Sequence, residues 1–209
     1  MTRILVLAAV LVALPVIGRI AVWVAAHVFG QAIGRHALAQ QPDRITMQSA
    51  GASAWKHPAT SVTLSRALEQ NDFESGGIYT VPELPGVVVQ LLAHRAESWL
   101  AAVYEHPKAG NWVDIATRYA DGTSCTFSSH AASGLDPRPG HPVVNLPGAA
   151  PATLLARARV ERKRGVMTTV TPQTAAKMFA DAYAESIAWR KSRGVSTREV
   201  ANVADQRAA

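Results

Sequence analysis

"NWVDIATRYADGTSCTFSS", residues 111–129, decides how this chain folds. Apolar and polar residues alternate on both sides of Ala120-Asp121-Gly122, the two-residue period of strands that bury one face. Two turns fit the stretch. With Asp121-Gly122 as a two-residue turn, Ile115 faces Ser128 and Phe127 falls opposite Ala116. With Ala120-Asp121-Gly122 as a three-residue loop, Gly122 takes the left-handed position. Thr117 then opposes Cys125, Ile115 opposes Phe127, and Val113 opposes Ser129. This second register gathers the apolar groups on one face, which is what fixes register in a half-buried sheet. It is the expected one, and it makes Cys125 a small buried hydrophobe, not a nucleophile.

Upstream, "VVVQLLA" and "WLAAVYE" are strand-like runs separated by the polar "HRAES", and "PKAG" turns the chain into residues 111–119. Residues 59–70 carry Leu64, Ala67 and Leu68 at helical spacing behind Pro58. Gly76-Gly77 introduces a short strand, Ile78 to Val81, cut by Pro82 and Pro85. Downstream, residues 130–151 are rich in Gly and Pro and predict an irregular surface excursion. Helices follow. "PATLLARARVERKRG" has Pro151 at an early helical position and Gly165 past its basic end. A longer helix starts at Thr171-Pro172, stops at Gly194, and carries a buried stripe of Ala175, Met178, Phe179, Ala182 and Ile187. Ser196 and Glu199 have capping-box spacing for a last helix bearing Val200 and Val203. Strands grouped together with helices at the ends predict an α+β fold, an antiparallel β-meander packed with flanking helices.

The opening of the chain reads differently. Ile4 to Gly18 is apolar or small without interruption. About fifteen residues fall short of the ~20 that cross a hydrocarbon core as a helix. Continuing through Arg19 to Ala26 supplies the length, with Arg19 able to snorkel to the interface and Trp23 suited to the aromatic belt there. An amphipathic extension runs on to about Ala39. "QQPDRI" is a polar exit. Residues 1–39 are therefore expected to be a membrane anchor with its extension, and 44–209 a single soluble domain with a sizeable core. The competing reading is a signal peptide cleaved after Val24-Ala25-Ala26. Arg3 flanks one side of the apolar run, and Arg19, Arg35, Arg44 and Lys56 flank the other, which favours a cytoplasmic position for the large domain over a periplasmic or secreted one. Ala26, Gly30 and Gly34 form a small-residue row through which two copies of the helix can approach.

The net charge of +6 favours anionic partners. Its densest run is Arg157, Arg159, Arg162, Lys163 and Arg164, either a dipole-compensating helix end or a surface for anionic lipid headgroups. No aromatic residues interleave with it, so no specific nucleic-acid partner is expected. The single cysteine excludes an internal disulfide and multi-cysteine metal motifs. No phosphate loop, dinucleotide fingerprint, Gly-x-Ser-x-Gly or His-Glu-x-x-His occurs, and no cofactor is implied.

The most suggestive cluster is "HAASGLDPRPGH", residues 130–141. His130, Asp136 and His141, with Arg138, have the chemistry to pass a proton, although their spacing matches no metal-ligand pattern. Asp114 and Arg118, on one strand face, predict a structural ion pair. His94 and His106 lie near strand ends. The expected function is a single-pass membrane-anchored binding or assembly module, bacterial by its Ala/Arg-rich composition. The alternatives are a membrane-tethered enzyme using His130, Asp136 and His141, or a secreted domain released by cleavage.

Overall fold

The computed structural model describes residue 32 and residues 34–208. The expected span at residues 3–26, with Arg19, Trp23, Ala26 and Gly30, lies outside the described residues. Among those described, no helix is long and apolar enough to cross a membrane. The chain divides into two compact units, the larger made of Pro42–Ala132 and Pro137–Trp189. The smaller takes in the chain up to Gln41, Ser133–Asp136, and the chain from Arg190 onward.

The larger unit is α+β. Its seven strands lie in sequence order in one sheet: β1 (Gln48–Ala50), β2 (Glu74–Thr80), β3 (Val88–His94), β4 (Trp99–His106), β5 (Gly110–Arg118), β6 (Ser124–Ser128) and β7 (Val143–Asn145). Neighbours from β1 to β6 are antiparallel, as the meander predicts. The β5–β6 hairpin adopts the three-residue-loop register, with Thr117 opposite Cys125 and Ile115 opposite Phe127. Gly122 has φ +82°, a conformation that a side chain would strain, and its N–H bonds Tyr119 O at 2.9 Å.

Two expectations about the sheet need correction. The 130–151 excursion contains β7, which pairs parallel to β6 through Thr126–Val143 and Ser128–Asn145, so the sheet is mixed. Only three residues long, β7 is held by backbone bonds at its flanks, Thr126 N to Pro142 O and Leu146 N to Ser128 O. The strand expected at Ile78–Val81 begins at Glu74 and incorporates Gly76-Gly77 as an irregularity in the β2–β3 register. A Cβ at Gly76 would lie 2.8 Å from Pro172 O and 3.2 Å from Ala175 Cβ. The glycine admits a helix start against the strand, and does not merely precede one.

Helices cover both faces. On one, α1 (Pro58–Glu69) and α2 (Pro151–Glu161) bring Leu68, Leu154, Leu155 and Ala158 onto Trp99, Val103, Val113, Ile115 and Phe127, every one of them fully or almost fully buried. Buried Glu105 accepts the N–H groups of Lys56 and His57, both at 2.8 Å, which satisfies donors at the start of α1. On the other face α3 (Pro172–Arg193) sets Ala175, Ala176 and Phe179 against Val89, Leu91 and Ala102. Its expected stripe is only partly inward: Ala175 is buried, Met178, Phe179 and Ile187 are half-buried, and Ala182 is exposed. The second helix also stops early, at Glu161, because Arg162 turns extended and Arg162 and Lys163 are drawn to partners on the strand connections, Glu97 and Asp121.

In the smaller unit, residues 34–39 are helical and α4 spans Thr197–Ala208. The capping box forms: Glu199 Oε2 accepts Ser196 N–H at 2.9 Å, and Ser196 Oγ accepts Glu199 N–H at 3.2 Å. A Cβ on Gly34 would meet Val195 Cβ at 2.9 Å, so this member of the small-residue row is engaged within the chain.

Cys125 supplies a direct check on the core. Its thiol is buried, and burial followed by nearby Glu161 pushes its pKa up. Thiol reagents attack the thiolate, so labelling of the native protein should be slower by about a hundredfold or more than in denaturant. Native labelling at the denatured rate would contradict the hairpin's placement.

Candidate functional site

The residues singled out in the 130–141 segment have separate partners. His130 Nδ1 lies 2.8 Å from Ala131 O and, because a carbonyl only accepts, donates to it. Asp136 lies in the smaller unit, where its carboxylate accepts Arg193 Nη2 at 2.6 Å and Arg198 Nη2 at 3.0 Å. Its own N–H goes to Glu199 Oε1 at 2.8 Å. In the larger unit, His141 Nδ1 is 2.8 Å from Ser124 Oγ, and burial, then Arg138, hold the imidazole pKa down. This is the geometry of a hydroxyl beside a base, but among the described residues Nε2 of that ring has no hydrogen bond to orient it. No group of three or more His, Cys, Asp or Glu side chains among the described residues is placed to hold a metal ion.

The basic run is largely neutralised by its neighbours. Arg157 pairs with Glu161, Arg159 holds Glu97 through two nitrogens, and Lys163 reaches Asp121 at 2.8 Å. Arg162 donates to Glu97 O at 2.9 Å and lies 4.6 Å over the Trp99 ring. Arg164 is exposed. Arg162 and Lys163 follow the helix end, so their charges tie the segment after α2 to the strand connections and do not simply complement a dipole.

Asp114 and Arg118 do not pair as expected. Arg118 bonds Glu185 of α3 at 2.6 Å, with Arg138 Nη1 at 3.6 Å from the same carboxylate. Asp114 belongs to a cluster that the sequence did not disclose. The β4–β5 register sets Tyr104 opposite Trp112, and the β5–β6 register sets Asp114 opposite Ser128, all on the face that α3 partly covers. Tyr104 and Trp112 stack at 4.4 Å with 13° between their planes. Phe179 lies 6.0 Å from Tyr104, and the His130 ring 4.9 Å from Trp112. His106 is 6.3 Å from Trp112. Its Nδ1 accepts Lys108 and Ala109 N–H, and burial, then Lys108, lower its pKa.

The segment after β6 is held in place. Ser128 Oγ accepts His130 N–H at 3.1 Å, and Asn145 Nδ2 donates to His130 O at 3.0 Å. At the centre, burial raises the Asp114 carboxyl above the usual carboxylate range, opposed by donation from Ser128, Tyr104 and Trp112 and by nearby His130. Burial, with Asp114 beside it, likewise pushes the Tyr104 phenol well above its ordinary value. Asp114 Oδ1 is shut away from solvent, without a hydrogen-bond partner among the described residues. A buried carboxyl oxygen left unmatched is costly, and a carboxyl whose pKa is shifted by burial is a candidate for a functional role. The alternation of Trp112 and Asp114 along one strand was the signal available; without the neighbouring registers it points nowhere. Comparison with family models, with curated proteins and with solved structures gives no match for this chain.

Proposed function

We propose that this chain is a membrane-tethered binding module. Its N-terminal segment anchors it, and its ligand surface is the Tyr104–Trp112–Asp114–His130 face of the sheet. The observation that carries the binding role is the buried Asp114 Oδ1 beside stacked aromatic rings, an oxygen with no hydrogen-bond partner among the described residues. The anchor rests on the apolar run from Ile4, which reaches spanning length by passing through Arg19. Arg19, Arg35, Arg44 and Lys56 after that run favour a cytoplasmic position for the domain. An enzyme built on His130, Asp136 and His141 has less support, since each spends its side chain on a different partner.

Both halves are open to test in the full-length protein. The anchored chain should stay with membranes through alkaline carbonate washing; a mature N-terminus at His27 would overturn the tether in favour of cleavage. A photo-crosslinking residue at Thr126, on the proposed face, should give a discrete adduct in cells that the same residue at exposed Val160 does not. Adducts at neither position, or equally at both, would overturn the binding role.

A further inference from the structure

We infer that the site around Asp114 takes a cationic nitrogen group, an ammonium or guanidinium, which supplies the donor missing at Asp114 Oδ1. The inference rests on the binding role proposed above and names its ligand chemistry. The unmatched oxygen asks for a donor, while polar groups beside it have partners: Ser128 Oγ accepts His130 N–H, His130 Nδ1 donates to Ala131 O, and His106 Nδ1 accepts two backbone N–H groups. The groups that act most strongly on the Asp114 carboxyl are the donors Ser128, Tyr104 and Trp112 and nearby His130, against a burial that disfavours its charged form. A group bringing both a donor and a positive charge corrects both deficits at once.

The rings select further. The Tyr104–Trp112 stack and Phe179 present π-systems to the neighbourhood, and aromatic rings attract cations while offering nothing to anions. A sugar or nucleobase needs an open ring face. Trp112 gives one face to Tyr104 and meets His130 at 4.9 Å and 60°, which leaves little for flat stacking. An anion would be repelled by the carboxyl. Among the described residues no group of three or more His, Cys, Asp or Glu side chains is placed to hold a metal ion, and a nitrogen cation brings both the donor and the charge.

The test is a titration of the full-length protein in neutral detergent micelles, read at the Trp112 indole N–H resonance, which is identified by its loss in Trp112→Phe. Agmatine and n-butylammonium should shift this resonance saturably, while butyramide, similar in length and uncharged, should bind at least about tenfold more weakly. Asp114→Asn should abolish the preference for charge. If that variant fails to fold, the comparison of charged and uncharged probes on the natural chain still decides. Butyramide shifting Trp112 as strongly as n-butylammonium would overturn the cationic ligand and leave the binding role standing. Silence from every probe would overturn the inference, and the binding role falls with it only if the crosslinker at Thr126 also gives no distinct adduct.

Discussion

Trp99→Ala should be among the most damaging single changes in the larger unit. Trp99 is completely buried, meets Phe127 edge-on at 6.4 Å and 84°, and receives the Arg162 guanidinium over its ring. Its indole N–H donates to Glu97 Oε2 at 3.2 Å. Removing a buried tryptophan costs about 3–5 kcal/mol in transfer and cavity terms. The edge-to-face pair and the cation over the ring add about 1 kcal/mol more. That sum is comparable to the whole stability of many domains, roughly 5–15 kcal/mol. Denaturant unfolding followed by exposure of the Cys125 thiol should show it. The change also removes the ring under Arg162, one of the contacts that hold it beside its bond to Glu97 O, so the start of the 162–164 segment should loosen with it. A loss under about 1 kcal/mol would mean that the core is organised around other residues.

The parts of this fold that were legible in the sequence are those where one physical requirement had a single solution. The β5–β6 register follows from placing Ile115 and Phe127 on one face, and a glycine at the left-handed position then allows the loop. The capping box at Ser196 and Glu199 is a local pattern that needs no tertiary knowledge. What escaped depends on partners far along the chain. β7 is short and partly exposed, and it earns its place by pairing parallel to β6, which no local period announces. Arg162 and Lys163 leave the helix because Glu97 and Asp121, on strand connections, and Trp99, at the start of β4, wait more than forty residues before them. The Asp114 cluster draws on three strands and α3. It emerges only when two registers and a helix position are combined. His130 was noticed for its neighbours in sequence, yet its spatial neighbour is Trp112.

In the smaller unit, Glu199→Gln should be the most costly change. The Glu199 side chain is fully buried and accepts from Arg190 at 3.1 Å, from Arg193 at 2.8 Å and from the backbone N–H of Asp136 and Ser196. Burial alone would raise its pKa; donation from Arg193, Ser196 and Asp136 overrides this and holds it down at about 2. Glutamine keeps the shape and the capping-box pattern, since it serves at this position as glutamate does, so the variant isolates the charge. It takes away the carboxylate between two guanidinium groups, for which about 2–4 kcal/mol is expected, at the lower side of buried-pair losses because Arg193 is a third exposed. Because the chain forms two units, the readout should be local: amide hydrogen exchange across Thr197–Ala208. The pH dependence has a definite sign. A carboxylate whose folded pKa lies below its unfolded value of about 4.3 contributes fully above that value and is lost as pH falls toward about 2. Protection of α4 in the natural chain should therefore fall between about pH 4 and pH 2. In Glu199→Gln this step should vanish, with protection already low at neutral pH. Equal protection in the two proteins at neutral pH would show that the helix is held by its apolar contacts, Gly34 against Val195 and Val200 among them, and that the buried ion pairs are near neutral in their net effect.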